Sequence, residues 1–201
     1  MSAPTAPDLH VPAGFRYQPD FLAADTETRL ADRLGAIEFA NFTMRGFVAR
    51  RRVAFFGRSY DADDRTVRPM PPFLLSLREG VANWAGIQPA AFVMALVNEY
   101  QPGTPIGWHR DAPQYDVVAG VSLLSSCRMR FRPYLRPGAG GAPALKRTAT
   151  HELELQPRSI YLMTDEARHA YEHQIPAVAA LRYSITFRTA RVRTVERESL
   201  G

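Results

Sequence analysis

The run Arg182-Tyr183-Ser184-Ile185-Thr186-Phe187-Arg188 decides the fold. Its aromatic and β-branched residues favour a strand, and a strand turns successive side chains to opposite faces. Tyr183, Ile185 and Phe187 therefore share one apolar face, while Arg182, Ser184, Thr186 and Arg188 share the other. An ordinary half-buried strand leaves its polar face in water. If that face instead lines the inside of a barrel, two guanidinium groups enter a poorly solvated interior, which is costly unless each finds a partner. A dianionic ligand would supply those partners, because arginine and carboxylate meet as a bidentate, charge-assisted pair. The run reads either as a solvated outer strand or as the inner wall of an anion-binding barrel.

Working outward, short strand-like runs dominate the second half: Phe92–Tyr100, Val117–Ser125, Met129–Tyr134, His151–Leu155, Ser159–Met163 and Leu181–Thr189. Turn material separates them, including Gln101–Gly107 and the RPGAGGAP stretch Arg136–Pro143. This pattern predicts a sandwich or barrel. Upstream, Leu30, Leu34 and Ile37 recur at helical spacing behind Asp25, read as an N-cap. Pro72 opens a second helix, Phe73–Trp84, with Leu74, Leu77 and Val81 inward. Two further strand-like runs, Phe39–Val48 and Arg52–Phe56, lie between the helices. The expectation is a mostly β protein with flanking helices (α+β), both helices packing on one outer face. Residues 1–14, with Pro4, Pro7, Pro12 and Gly14, read as an irregular leader, and 15–201 as one domain.

Composition bounds the function classes. At 201 residues, 46% hydrophobic and 22% charged, the chain suits one folded domain and not a disordered one. No apolar run approaches a membrane-spanning length, and the first twenty residues lack the basic and apolar regions of a secretory signal. The expectation is a soluble, cytoplasmic, monomeric protein with no membrane partner. A single cysteine, Cys127, excludes an internal disulfide and any cysteine-based metal cluster. The formal net charge is +5, and every basic residue except Lys146 is arginine.

Five histidines are available: His10, His109, His151, His169 and His173. His109 and Asp111 form an H-x-D pair after a glycine-containing turn, and in an extended segment both side chains reach one side. A third ligand from His169 or His173 would give two imidazoles and one carboxylate on one face. That set leaves open positions and is associated with non-haem Fe(II) oxygenases. Zinc hydrolysis is a competing use of the triad, but no carboxylate is clearly placed as general base, and zinc leaves the Arg182/Arg188 pair unexplained.

The ordered set of Asn98-x-Tyr100, the G-x-x-x-G-W-H-R-D run Gly103–Asp111, the E-H-Q-I-P run Glu172–Pro176 and the closing R-Y-S-I-T-F-R resembles the AlkB family of Fe(II)/2-oxoglutarate-dependent dioxygenases over Phe92–Arg188. The resemblance implies a double-stranded β-helix (jelly roll) core. It implies His109, Asp111 and His173 as iron ligands, with Pro176 placing His173 on a loop entering the last strand. It implies that Asn98 and Tyr100 bind 2-oxoglutarate, that Arg182 takes its distal carboxylate, and that Ser184 and Arg188 complete the pocket. Ser184 stands where some members carry asparagine. The implied cofactor is Fe(II), with 2-oxoglutarate and O2 as co-substrates, and the implied reaction is oxidative dealkylation of DNA or RNA bases, as in DNA repair. Such a base must be single-stranded or flipped out of a duplex.

Between Arg45 and Arg58 stand five arginines and no acid, interleaved with Phe47, Phe55 and Phe56 and followed by Tyr60. Arginine beside aromatic rings suits phosphate contact and base stacking. The family carries a substrate-recognition lid here, so residues 44–72 are the expected lid, with Arg51, Arg52, Phe56 and Tyr60 as substrate contacts. A core strand pair with solvated arginines is the competing reading. Two residues after Asp111, where some members carry an acid facing the damaged base, this chain has Pro113. Base preference is therefore not carried over, and a protein side chain or small metabolite is the alternative substrate.

Overall fold

The computed structural model describes residues 11–44, 47–58, 68–135 and 150–191. Among the described residues eleven strands and three α-helices follow in order: β1 Phe15–Gln18, α1 Ala24–Gly35, β2 Ala40–Met44, β3 Phe47–Gly57, α2 Pro72–Ala85, β4 Phe92–Tyr100, β5 Ile106–His109, β6 Tyr115–Leu123, β7 Cys127–Pro133, β8 His151–Leu155, β9 Ile160–Met163, α3 Asp165–His169, β10 Tyr171–Ile175 and β11 Arg182–Ala190. A seven-stranded sheet runs β1-β9-β6-β11-β4-β3-β2, and a four-stranded sheet runs β5-β10-β7-β8. The two form the jelly roll.

β11 sits at the centre of the large sheet, antiparallel to β4 on one side and β6 on the other. Its apolar face meets the helices: Tyr183, Ile185 and Phe187 share a core with Leu30 and Leu34 of α1 and Leu74, Leu77 and Val81 of α2. Its polar face is buried as well, with Arg182 fully enclosed and Ser184, Thr186 and Arg188 each no more than 5% exposed. The solvated-strand reading is thereby excluded. The second core fills the space toward the small sheet, with Phe15, Met129, Phe131, Leu153 and Leu155 among its members.

The helices are set by their ends. In α1, Asp25 and Glu27 occupy the first turn and Arg33 the last, opposing the helix dipole with matching charge. Ala23, not Asp25, is the N-cap; Asp25 is the second residue of the helix, where it accepts Arg29 Nη1 at 2.7 Å. Pro72 starts α2, where a missing N–H costs nothing. Gly86 stops it at φ 75°, a left-handed conformation that glycine adopts without strain.

The structure redraws several sequence-derived boundaries. β3 begins at Phe47 and pairs antiparallel with β2, Met44 opposite Phe47. β5 and β10 are strands where the sequence pattern suggests turn and loop, and His173 lies on β10, not on a loop before the last strand. Of the expected lid, residues 47–57 are an interior strand of the large sheet, while 59–67 lie outside the described residues. No described helix is long and apolar enough to cross a membrane.

Candidate active site

A cavity of about 1080 Å³ opens between the two sheets. β5 and β10 pair so that His109 and His173 are direct neighbours, with ring centroids 4.3 Å apart. Asp111 follows β5, and its Oδ2 lies 3.8 Å from His173 Nε2. His169 is not brought into this group; it reaches Asp116 at 2.9 Å nearer the surface.

The protonation states suit metal binding. Burial pushes His173 down to about 3, and neighbouring His109 adds to the shift. Burial likewise lowers His109, despite the opposing pull of Asp111. A carbonyl oxygen only accepts, so the 2.9 Å contact from His109 Nδ1 to Gly107 O places that nitrogen's proton there and leaves Nε2 as the bare lone pair. Burial alone would raise Asp111, but Arg188 and then the two histidines overcome it and hold the carboxyl well below the usual range. As they stand, no three His, Cys, Asp or Glu side chains among the described residues close around an ion. Asp111 Oδ1 is turned to Arg188 Nη2, at 2.6 Å, while Oδ2 faces His173. In donor chemistry, two neutral imidazoles and one ionised carboxylate fit Fe(II).

The loop carrying Asp111 is clamped from behind. Arg168 of α3, 4% exposed, donates to Ala112 O at 2.8 Å and to Tyr115 O at 2.7 Å. Sequence reasoning missed this residue because a lone arginine in a short helix carries no signal.

Ser184, Thr186 and Arg188 on the polar face of β11 line the cavity. Register sets Arg182 beside Tyr100 and Ser184 beside Asn98, so four of the five expected pocket residues fall in two adjacent rows. Arg182 Nε donates to Ser122 Oγ at 3.1 Å, but Nη1 and Nη2 find no acceptor among the described residues. A fully buried guanidinium with two open donors is costly unless an anion completes it. Such a fork fits the end carboxylate of a dicarboxylate.

The expected substrate residues divide. Arg51 lines the cavity and donates from Nε to Asn98 Oδ1 at 3.0 Å. Arg52 and Phe56 do not reach it. Arg52 pairs with Glu99 at 2.7 Å, and Phe56 is buried in the helix-side core. The cause is strand alternation: Arg51, Val53 and Phe55 face the cavity, and Arg52 and Phe56 face away. Tyr60 lies outside the described residues.

Residues 14–188 match the 2OG-Fe(II) oxygenase superfamily. The chain belongs to this superfamily. As a 2OG-Fe(II) oxygenase it uses Fe(II), 2-oxoglutarate and O2. The AlkB resemblance holds: the chain is 27% identical over 191 residues to a protein of Arabidopsis thaliana described as an alkylated DNA repair protein ALKBH8 homolog, a match covering 84% of this chain and 52% of that one. It is 35% identical over 83 residues to an uncharacterized protein of Acanthamoeba polyphaga mimivirus, covering 40% of this chain and 35% of the other. The chain thus spans about half or less of these curated relatives. The fold is shared with OsALKBH1, at a TM-score of 0.64 and 14% identity, covering 90% of this chain and all of that one. It is also shared with a 2OG-Fe(II) oxygenase family oxidoreductase from Burkholderia pseudomallei, at 0.61 and 14%, covering 89% and 86%. The protein is an AlkB-like dioxygenase.

Proposed function

We propose that this dioxygenase removes alkyl groups oxidatively from bases of single-stranded or flipped-out DNA or RNA. The supporting observation is the cavity mouth. Beside His109 and Asp111, Arg110 stacks on Tyr134 with its guanidinium carbon 3.6 Å from the ring centroid, and Arg51, Arg68 and Arg191 line the same opening. Cations with aromatic faces suit a phosphate backbone carrying an exposed base. The Arabidopsis relative's description points the same way.

In this reading His109, Asp111 and His173 hold iron, and Arg182, with Tyr100, Asn98, Ser184 and Arg188, holds 2-oxoglutarate. Bound Fe(II) supplies dioxygen activation, coupling the conversion of 2-oxoglutarate to succinate and CO2 to hydroxylation of the substrate carbon. An N-methyl group hydroxylated in this way leaves as formaldehyde. The chain's own part is orientation: Arg188 and Arg168 fix Asp111 and its loop, and the fork of Arg182 sets the direction in which the dicarboxylate lies. Pro113 lines the cavity where an acid would have faced the base, so lesion choice rests on other groups.

The test is succinate formation with Fe(II) and 2-oxoglutarate, with and without a methylated single-stranded oligonucleotide. The expected outcome is stimulation by the methylated strand over its unmethylated twin, loss of oligonucleotide affinity as salt rises, and no turnover in Asp111→Ala. Succinate formation indifferent to the oligonucleotide would overturn the nucleic-acid reading and direct the search to proteins and metabolites.

A further inference from the structure

Tyr161 was hidden in the apolar run Ile160–Met163, all four residues of which are buried. On β9 it pairs with Gly120 of β6, and Gly120 pairs in turn with Thr186 on the polar face of β11. A Cβ at Gly120 would lie 2.3 Å from Tyr161 Cζ and 2.5 Å from its hydroxyl oxygen. The phenol ring therefore lies across the β6 backbone, in space that only a glycine leaves open. Phe15 stacks on the ring with centroids 5.9 Å apart and planes 15° from parallel, which holds it in that pose. The residue is 6% exposed and lines the cavity, and its hydroxyl has no hydrogen-bond partner among the described residues.

A phenol on a cavity wall whose hydroxyl has no protein partner is free to donate to a ligand in that cavity. Burial, then the charge of Asp111, raises the phenol far above its ordinary range, so it stays a protonated donor. The other groups acting on it are Arg182, Tyr100 and Arg188. By register it lies two strands from Thr186, on the face of the sheet that also carries Arg182 and Arg188. We propose that Tyr161 is a further co-substrate-binding residue, its hydroxyl, laid across Gly120, donating a hydrogen bond to a carboxylate oxygen of 2-oxoglutarate. The proposal rests on the assignment of Arg182 to that co-substrate but not on the nature of the prime substrate.

Isothermal titration of 2-oxoglutarate into the Mn(II)-loaded protein tests it without turnover. Tyr161→Phe keeps the ring and its stacking and removes only the donor. The expected result is a dissociation constant about tenfold weaker, the scale of one hydrogen bond to a charged group, with Mn(II) affinity and Tm unchanged. Binding within twofold of the wild type, while Arg182→Ala loses it, overturns the role of Tyr161 alone. Binding undiminished in Arg182→Ala overturns the underlying placement of the co-substrate as well.

Discussion

Two sets of arginines in this protein obey the same alternation and differ in what completes them. On the outer face of the small sheet, Arg128 and Arg130 of β7 reach Glu152 of β8 at 3.3 and 2.5 Å, and Arg132 pairs with Glu172 of β10 while covering Trp108. Each has an acid one strand away, and each is at least a third exposed. On the inner face of the large sheet, Arg188 takes its acid from a loop, as Asp111, and Arg182 meets a serine hydroxyl and the ring of Tyr100 but no acid among the described residues. An arginine-rich composition is compatible with both. What marks the functional pair is the absence of water combined with an acid that comes from the metal end, or from no described residue at all.

The largest effect that would break this contrast is at Arg182. Arg182→Ala is expected to weaken 2-oxoglutarate binding at least a hundredfold, read by titration or by the co-substrate dependence of succinate formation. Arg182→Met sharpens the test. Replacing a buried, half-satisfied cation with an apolar side chain of similar volume is often neutral or stabilising. The expected outcome is a protein at least as stable as the wild type toward urea that no longer binds the dicarboxylate. Marked destabilisation by Met would mean that Arg182 is structural, like its counterparts on the outer sheet.

Acid acts on the same inner region. His173 falls from its ordinary 6.5 to about 3 on folding, and His109 also falls. Between pH 3 and 6.5 the unfolded chain therefore binds protons that the folded His173 refuses, so stability rises with pH across that window and is lost as pH falls through it. The contribution approaches about 1.4 kcal/mol per pH unit for one such group. Urea midpoints of the metal-free protein, measured in EDTA from pH 8 to 4, should be flat above pH 7 and decline below 6.5. His173→Gln should remove part of the slope, whereas an unchanged slope would place the titrating group elsewhere.

Much of this was legible before the structure, and the failures have a common cause. β4, β8 and the two-faced β11 were readable because β-rich runs of five or more residues carry their own period. The ordered motifs brought His109, Asp111, His173, Asn98, Tyr100, Ser184 and Arg188 to one cavity and set Arg182 beside Tyr100. β5 and β10 were not readable: they are four and five residues long, and their ligands replace the apolar alternation that marks a strand. Tyr161 was lost for the opposite reason, since an all-apolar run hides a polar handle; Gly120 inside β6 was the available signal. Phe56 and Arg52 were misplaced by one residue of phase, which in a strand is a full change of face.

That phase error gives the last and smallest test of the two kinds of arginine. Arg52 pairs with Glu99, whose side chain is only 5% exposed, although Arg52 itself is 47% exposed. Arg52→Ala strips a nearly buried carboxylate of its cation and leaves it the amide of Gln101. The expected cost is about 1 kcal/mol, discounted because water reaches the pair. Arg130→Ala, on the outer sheet, leaves Glu152 to Arg128 and to water, and should cost no more than about 0.5 kcal/mol. Neither substitution should alter succinate formation per folded molecule, because neither side chain lines the cavity. Urea denaturation checks the ranking, and the co-substrate assay checks the separation. A loss of turnover in Arg52→Ala would return that residue to the substrate face from which strand alternation removes it.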